Sequence, residues 1–276
     1  MNPALKEHAL ADQFAAVDRA FSKQSLHYDE EDRTNHILID MREQVYAHVN
    51  NYLKPGSSIL ELNAGTGIDA VHFASLGHRV HATDLSSGMI NQIRDKMQHS
   101  ILQGRLTCQQ LSYDQLQQVT GEKFDYVFSN FGGLNCIQDL SSVTRYLSTL
   151  LNPGAFATFV VMPPVSFWEL AWILKGDPKQ AFRRLKKNGV KAHLEGEFFA
   201  TYYHSLGKIK SAFGPDFRLI RSEGLCALSP PPSPKEFASR YPGLYKMLRV
   251  MDSLVRSVPP FNRCADHLIV TFKLVN

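Results

Sequence analysis

The chain contains 276 residues, of which 44% are hydrophobic and 20% are charged. These proportions are typical of a globular protein and argue against a disordered, collagen-like or coiled-coil chain. The formal net charge is +4, which is too small for the general electrostatic footprint of a nucleic-acid-binding protein. The longest apolar stretch, residues 155–165, is far shorter than the roughly 20 residues of a membrane helix, so we expect no integral membrane segment.

Two further features of the composition bear on location and on metal binding. Residues 1–13 contain no apolar core of a signal peptide, so we expect a cytoplasmic protein. The four cysteines are far apart and include no Cys-x-x-Cys pair, which favours free thiols. His, Cys and carboxylate residues show no metal-ligand spacing, so we predict no metal site.

The predicted elements begin with a helical N-terminal arm. Apolar residues recur at helical spacing over residues 5–20 and 35–53, with a polar link at residues 27–30. From residue 58 onward, short apolar runs alternate with helical patterns. Strands are predicted at residues 59–62, 80–83, 105–108, 124–128 and 156–161, and helices at 68–76, 89–97, 113–119 and 137–151. This alternation is typical of a parallel sheet with crossover helices.

The regular alternation ends after residue 162. Two helices (167–174 and 179–187) and a strand-like stretch (193–203) are predicted within an insertion at residues 163–203. A helix (208–213), a strand (217–228), a helix (235–255) and a closing strand (267–274) follow, and the last two strands are close enough to pair antiparallel. We therefore predict an α/β fold with a Rossmann-like, mostly parallel sheet, one antiparallel strand, helices on both faces and an α/β lid insertion.

The most informative stretch is residues 59–70. A buried strand contains Glu61 near its end and is followed by a turn with Asn63, Gly65 and Gly67 that opens a helix. Such a turn allows a ligand close to the backbone and directs helix N-terminal N–H groups at it. A second strand ends at Asp84, 19 residues after Gly65, where an acid accepts hydrogen bonds from a ribose. The pattern predicts a nucleoside-binding site.

The identity of the nucleoside is open at this point. Gly65-x-Gly67-x-x-Ala70 also fits the dinucleotide fingerprint, so an NAD(P)-dependent oxidoreductase is one alternative. A non-catalytic nucleoside-binding protein is another. Glu61 and Asp69 flank the loop and would repel a pyrophosphate, whereas they would attract the ammonium and sulfonium groups of S-adenosylmethionine. Local charge therefore favours S-adenosylmethionine.

These motifs resemble those of class I S-adenosylmethionine-dependent methyltransferases, particularly the small-molecule branch related to quinone-biosynthesis methyltransferases. The resemblance covers residues 53–162 and, more loosely, 217–274. In that family an acid-x-Gly-x-Gly-x-Gly loop holds the methionine moiety, and Glu61, Asn63, Gly65 and Gly67 occupy its positions. Asn63 replaces the first glycine, a change that left-handed backbone angles at Asn63 would accommodate.

The resemblance implies further cofactor contacts. Asp84 would bind both ribose hydroxyls, and an apolar side chain near Met89 would pack on the adenine. The family usually has an adenine-binding acid after the third strand, and here Gln110 or the backbone around the next two residues would take its place. The implied contacts beyond Asp84 are Leu85, Met89, Gln110, Leu111 and Ser112.

The end of the fourth strand implies a small-molecule acceptor. In the family this position lies beside the donor methyl, so Asn130 and Phe131 would line the reaction site. Members that methylate nucleic-acid amines have Asn/Asp-Pro-Pro-aromatic here, whereas this chain has Asn130-Phe131-Gly132-Gly133. We therefore expect a small-molecule methyl acceptor and no nucleic-acid partner.

The resemblance also divides the chain. It implies a helical arm at residues 1–52 and a methyltransferase domain at residues 53–276, with residues 163–203 as an acceptor lid. Aromatic density in the lid predicts a small apolar or aromatic acceptor held between Phe131 and the side chains of Trp168, Tyr202 and Tyr203. Because the sulfonium is already activated, few acid or base groups are needed.

The sequence leaves two questions open in and beside the lid. The catalytic candidates are His204 and Tyr203, and neither position is decided by a motif. The basic run at residues 175–191 predicts either a solvated helix face, an acidic acceptor site or contact with a membrane surface.

Overall fold

Three helices precede the sheet. They are α1 (Pro3–Gln24), α2 (Tyr28–Thr34) and α3 (His36–Val49) in the computed structural model, which describes residues 3–275. The side chain of Asn35 accepts hydrogen bonds from the N–H groups of Ile37 and Leu38 and so caps α3. The polar link predicted at residues 27–30 is instead the start of α2, where acids in the first turn complement the helix dipole.

The sheet has seven strands, six of which run parallel. The strands of this sheet are β1 (Ser58–Leu62), β2 (Arg79–Asp84), β3 (Leu106–Gln110), β4 (Phe124–Ser129), β5 (Leu151–Val161), β8 (Phe217–Leu225) and β9 (His267–Leu274). Their spatial order is β3-β2-β1-β4-β5-β9-β8, and β9 is antiparallel to both of its neighbours. The predicted Rossmann-like sheet with one reversed strand is confirmed. The order reverses between β1 and β4, which is where ligands bind in open α/β sheets.

Helices cover both faces of the sheet. They include α4 (Ile68–Ser75), α5 (Ser87–Lys96), α6 (Ser141–Thr144), α7 (Leu147–Leu150), α10 (Leu206–Phe213), α11 (Phe237–Arg240) and α12 (Pro242–Val255). Residues 113–119, predicted as a helix, contain only a 3-10 turn, because the N–H groups of Gln115, Gln118 and Val119 each bond the carbonyl three residues earlier. Alternate residues of the central strands enter two apolar clusters, one on each face, so that Leu60 and Ile59 lie on opposite sides.

The insertion at residues 163–203 follows the carboxyl end of β5. It contains α8 (Phe167–Leu170), α9 (Pro178–Ala181) and a separate antiparallel hairpin of β6 (Val190–Leu194) and β7 (Glu197–Thr201). The hairpin is held by α1, because the Gln13 amide donates to the carbonyl of Ala200 at 2.7 Å and accepts from its N–H at 2.9 Å. Within residues 3–275, no helix is long and apolar enough to cross a membrane.

Candidate functional site

A cavity of about 330 Å³ opens at the carboxyl ends of β1, β2 and β4. It lies between the edge of the sheet and a cover made by α1 and the β6–β7 hairpin. Seven of the residues predicted from the sequence line its floor: Asn63, Gly65, Asp84, Leu85, Met89, Asn130 and Phe131. The cover contributes mainly apolar side chains: Val17, Phe21, Ala192, Leu194 and Phe199.

The loop after β1 has the backbone that the sequence predicts. Asn63, Gly65 and Gly67 have φ angles of 46°, 57° and 80°, so the left-handed conformation expected of Asn63 is confirmed. The Asn63 amide oxygen accepts a hydrogen bond from the hydroxyl of Ser129 at 2.8 Å, which joins the loop to the end of β4. A Cβ at Gly65 would meet no atom within 4 Å, so the backbone here borders open space that a ligand can enter.

Asp84 is fixed at the end of β2. One carboxylate oxygen accepts from the N–H of Gly65 at 2.8 Å, and the other accepts from the N–H of Ser86 at 2.8 Å. A carboxylate offers about four acceptor positions, so two remain for a ligand. Burial raises the pKa of Asp84 to about 6.

The N-terminal arm contributes a buried guanidinium that the sequence reasoning missed. Arg42 of α3 forms ion pairs with Asp32 and Asp69, and its guanidinium carbon lies 4.7 Å from the centre of the Phe131 ring. Its Nε has no hydrogen-bond partner among the described residues. Arg42 and Tyr28 line a small chamber beside Gly65. The only sign of this role in the sequence is the position of Arg42 directly after Met41, one of the apolar residues that α3 buries.

The comparisons with known proteins agree with this geometry. Residues 59–154 match the family model of a methyltransferase domain. This match covers the segment that holds the glycine loop, Asp84 and the end of β4. No curated protein matches the chain significantly.

Solved structures share the methyltransferase fold. An S-adenosylmethionine-dependent methyltransferase from Mesorhizobium loti is 16% identical, with a TM-score of 0.53 over 83% of this chain and 96% of that one. A methyltransferase from Methanosarcina mazei is 14% identical, with a TM-score of 0.55 over 82% and 96%. Geranyl diphosphate C-methyltransferase from Streptomyces coelicolor is 11% identical, with a TM-score of 0.56 over 86% and 81%. At these identities the likeness concerns the fold.

The cavity suits S-adenosylmethionine. Gly65 leaves room for close approach, and the Asp84 carboxylate has acceptor capacity left for ribose hydroxyls. Buried polar atoms without a hydrogen-bond partner among residues 3–275 also border the two chambers: Arg42 Nε and the hydroxyl of Tyr113. Such atoms are costly unless a ligand or water satisfies them.

Neither of the two acids that flank the loop lines the main cavity, although Asp69 borders the small chamber beside Gly65. Asp69 accepts hydrogen bonds from the Tyr46 hydroxyl at 2.6 Å and from the Asn130 amide at 2.9 Å, besides its ion pair with Arg42. Burial, followed by repulsion from Asp69, raises the pKa of Glu61 well above its usual range. Asp69 is thus compensated by Arg42, and Glu61 is buried in β1, so neither acid presents the free charge to a ligand that the sequence alone suggests.

Four other residues predicted to contact the cofactor lie outside the cavity and contact the residues around it. Gly67 is the N-cap residue of α4, and a Cβ there would approach a side-chain carbon of Ile93 to 2.8 Å. The Gln110 amide donates to the backbone carbonyl of Leu85 at 3.1 Å, and the N–H of Leu111 donates to the backbone carbonyl of Asp84 at 2.9 Å. The Ser112 hydroxyl bonds Asp114. None of the four lines the cavity, whereas the next residue, Tyr113, does.

The predicted acceptor aromatics lie elsewhere. Trp168 packs on Phe237, with ring centres 6.4 Å apart. Tyr202 and Tyr203 follow the end of β7 and border a separate pocket of about 170 Å³. The strand alternation of the hairpin turns Phe199 and Thr201 toward the main cavity instead. The structure thus corrects the sequence-based assignment of Trp168, Tyr202 and Tyr203.

Neither catalytic candidate reaches the cavity. The His204 side chain is 1% exposed, and its Nε2 lies 3.0 Å from the carbonyl oxygen of Ile137, to which it donates. Burial lowers the pKa of His204 to about 4, which keeps the ring neutral at pH 7. Tyr203 lies beneath the Arg184 guanidinium, whose carbon is 5.1 Å from the ring centre. Both side chains therefore hold the insertion in place.

Proposed function

We propose that the chain transfers a methyl group from S-adenosylmethionine to a small, largely apolar or aromatic metabolite. The observation that carries this proposal is the division of the cavity. Its carboxylate and amide groups, Asp84, Asn63 and Asn130, lie on the sheet side. The cover from α1 and the hairpin is mainly apolar, with Val17, Phe21 and Phe199, and its polar members are His193 and Thr201. Pockets for apolar ligands combine such a lining with a few placed polar groups.

The cofactor is assigned to the sheet side. Asp84 would accept hydrogen bonds from the ribose, the Gly65 loop would receive the methionine moiety, and Leu85 and Met89 would contact the adenine. The chamber beside the loop places Arg42 and Tyr28 where a methionine carboxylate needs donors. Direct contacts join the elements that carry these groups: the loop bonds Asp84 at the end of β2 and Ser129 at the end of β4, and Arg42 of α3 pairs with Asp69 of α4. The cofactor half is therefore preorganised.

The acceptor is assigned to the covered side. The bound cofactor supplies a sulfonium methyl that is already activated for in-line displacement. The protein's contribution is to align the acceptor and to exclude water, and orientation alone lowers a barrier by several kcal/mol. Val17, Phe21, Leu194 and Phe199 supply the apolar walls, and the buried Tyr113 hydroxyl is available to a polar atom of the bound ligand.

This lining supports acceptors like those of the quinone-biosynthesis branch. A phenol carries one hydroxyl and a hydroquinone two, on a flat apolar ring that can receive the methyl group at oxygen or carbon, which matches apolar walls with few polar groups. A nucleic acid would instead need cations around the cavity. Among the residues that line it in the described part of the chain, none is lysine or arginine.

The test uses transfer of labelled methyl from S-adenosylmethionine to a panel of phenols and hydroquinones, with tRNA and single-stranded DNA as further arms. We expect label on members of the small-molecule panel, at rates insensitive to salt between about 50 and 200 mM. Label on a nucleic acid alone, with a steep salt dependence, would contradict the proposal.

Neighbouring phenylalanines give a matched pair of variants. Phe199 is 8% exposed and lines the cavity, whereas Phe198 is 53% exposed on the outer face of the hairpin. Phe199→Ala should raise the KM of the small-molecule acceptor about ten-fold or more, since burial of apolar surface against a phenylalanine ring contributes roughly 1.5 kcal/mol or more. Phe198→Ala, Trp168→Ala and Tyr203→Ala should leave the acceptor KM close to that of the native chain. Equal effects of Phe199→Ala and Phe198→Ala on the acceptor KM would show that the acceptor does not bind beneath the hairpin.

A further inference from the structure

The insertion presents an unusual amount of apolar surface. Five large side chains between residues 172 and 185 are from 38% to 91% exposed: Trp172, Ile173, Leu174, Phe182 and Leu185. The first three lie on a 3-10 turn at Ala171–Lys175 that packs against α9, and the last two flank α9 and the turn that follows it. Leu174, at 91% exposed, contacts almost nothing in the protein. Clustered exposure of this kind marks an interaction surface.

The basic run of the same segment divides into two groups. Arg183 and Arg184 point inward: both pair with Glu169, at 2.8 and 2.6 Å, and Arg184 also pairs with Asp266 at 2.8 Å. Lys191 lies apart, on the hairpin, with its ammonium 3.9 Å from the centre of the Phe198 ring. The other four lysines are exposed, and within residues 3–275 none of them forms an ion pair: Lys175, Lys179, Lys186 and Lys187. The single acid between them, Asp177, caps α9 through the N–H of Gln180. The sequence could not separate these groups.

A pocket beside the apolar side chains concentrates this charge. Its volume is about 170 Å³, and Lys186, Lys187 and Lys208 line it together with Ser205 and Tyr202. No carboxylate lines it in the part of the chain that the structure describes. A pocket with three ammonium groups and hydroxyl donors suits an anionic oxygen group such as a phosphate.

We propose that these residues form a docking surface for a bilayer of anionic phospholipids. The docking surface comprises Trp172, Ile173, Leu174, Phe182 and Leu185 with Lys175, Lys179, Lys186 and Lys187. Apolar side chains that enter the headgroup region beside a ring of lysines are the combination that binds anionic membranes. Trp172 suits the interface, where its amphipathic ring sits at headgroup level.

Charge argues against a second copy of the chain as the occupant. In a symmetric pair the same patch meets itself, so the four lysines of one copy would face the four of the other. Like charges brought together without acids between them repel, whereas an anionic bilayer supplies the missing counter-charge. The bilayer is therefore the occupant to which the residues are complementary.

The docking surface lies next in the chain to the cover of the cavity. It follows the carboxyl end of β5 and precedes the β6–β7 hairpin that covers the cavity. A chain bound through it would keep its cavity cover close to the lipid surface. The docking surface itself does not depend on the proposed methyl transfer, and its test requires no cofactor or acceptor.

The primary experiment is sedimentation of the full chain with vesicles of phosphatidylcholine and phosphatidylglycerol, or of phosphatidylcholine alone. We expect binding to the anionic vesicles only, weakened at 0.5 M salt because the charges are screened. Lys186→Gln with Lys187→Gln should weaken binding at least about ten-fold, since each lysine near the surface contributes about five-fold. Ile173→Ser with Leu174→Ser should weaken it by a similar factor.

Matched controls lie at the opposite edge of the sheet. Arg105→Gln with Lys123→Gln removes two exposed cations at the amino ends of β3 and β4, and Leu76→Ser removes a leucine that is 56% exposed after α4. Neither control should change vesicle binding. Circular dichroism verifies that every variant is folded, since all the changed side chains are exposed.

A spectroscopic readout locates the contact. The chain has two tryptophans, so Trp168→Phe leaves Trp172 as the only one. Its emission should shift to the blue with anionic vesicles. Absence of vesicle binding, equal binding by the docking-surface variants and the controls, or release of bound vesicles by millimolar inorganic phosphate would each overturn the proposal. So would sedimentation velocity that shows a dimer dissociated by Ile173→Ser with Leu174→Ser.

Discussion

The carboxylate of Asp84 accepts a hydrogen bond from the backbone N–H of Gly65 at 2.8 Å. This bond ties the end of β2 to the glycine loop after β1, so the two halves of the proposed cofactor site share one contact. The same carboxylate accepts from Ser86 N–H, and burial raises its pKa to about 6. The protonation of one side chain is therefore linked to the site as a whole.

Cofactor affinity should depend on pH through Asp84. With a pKa of about 6, the carboxylate is mostly ionised at pH 7 and mostly protonated at pH 5. The affinity for S-adenosylmethionine should therefore fall by up to about ten-fold as the pH decreases from 7 to 5, because the protonated group loses charge and acceptor capacity. Calorimetric titration at several pH values measures this. Asp84→Ala should show a flat profile, and a flat profile in the native chain would contradict the role of Asp84.

Gly65→Val should abolish cofactor binding. The side chain would project into the open space beside the loop, and the positive φ of 57° adds strain for a β-branched residue. Gly56→Val is the matched control, because Gly56 has φ of 74° with no atom within 4 Å of its Cβ position but lies in a turn before β1. Both variants should lose roughly 1 to 2 kcal/mol of unfolding free energy. Only Gly65→Val should lose calorimetric binding, and equal binding by the two variants would move the cofactor away from this loop.

Arg42 should contribute strongly to stability. Its guanidinium is buried between Asp32 and Asp69, so Arg42→Gln leaves buried carboxylates without their counter-charge. We expect a loss of about 3 to 5 kcal/mol in unfolding free energy, measured by denaturant titration. Arg19→Gln breaks an exposed pair with Glu197 and should cost less than about 1 kcal/mol. A small effect of Arg42→Gln would mean that the arm is not anchored through this pair.

His204 should make stability depend on pH below neutrality. Burial lowers its pKa from the ordinary 6.5 to about 4, so the unfolded chain binds a proton at a pH where the folded chain does not. The contribution of the neutral ring is complete above about 6.5 and is lost as the pH falls toward 4. Denaturant titrations at pH 7 and 4.5 should show a loss larger by roughly 2 to 3 kcal/mol in the native chain than in His204→Gln. Parallel losses in the two chains would contradict the buried neutral ring.

The sequence predicts the cofactor half of the site well. The strand, the loop from Asn63 to Gly67 and the acid Asp84 are close in sequence, and their geometry follows from the spacing of glycines and apolar runs. The left-handed angle of Asn63 could be anticipated because asparagine tolerates it. Local patterns thus suffice where the parts of a site are connected by short segments.

The acceptor half could not be predicted in the same way. Which residues of the hairpin face the cavity depends on how α1 docks through Gln13 on Ala200, which lies 187 positions along the chain. The aromatics Trp168 and Tyr203 match the composition of a pocket, but packing on Phe237 and beneath Arg184 takes them away from it. Likewise, the ion pairs of Arg42 join α3 to α4, and no local pattern shows them.

The most direct measurement is the calorimetric affinity of the native chain and of Asp84→Ala for S-adenosylmethionine and for NAD. The native chain should bind S-adenosylmethionine and not NAD. Asp84→Ala, folded by circular dichroism, should bind it more weakly by about 1.5 to 3 kcal/mol, the contribution of hydrogen bonds to a charged acceptor. Unchanged affinity in the folded variant, or preferential binding of NAD by the native chain, would contradict the assignment of this cavity to the methyl donor.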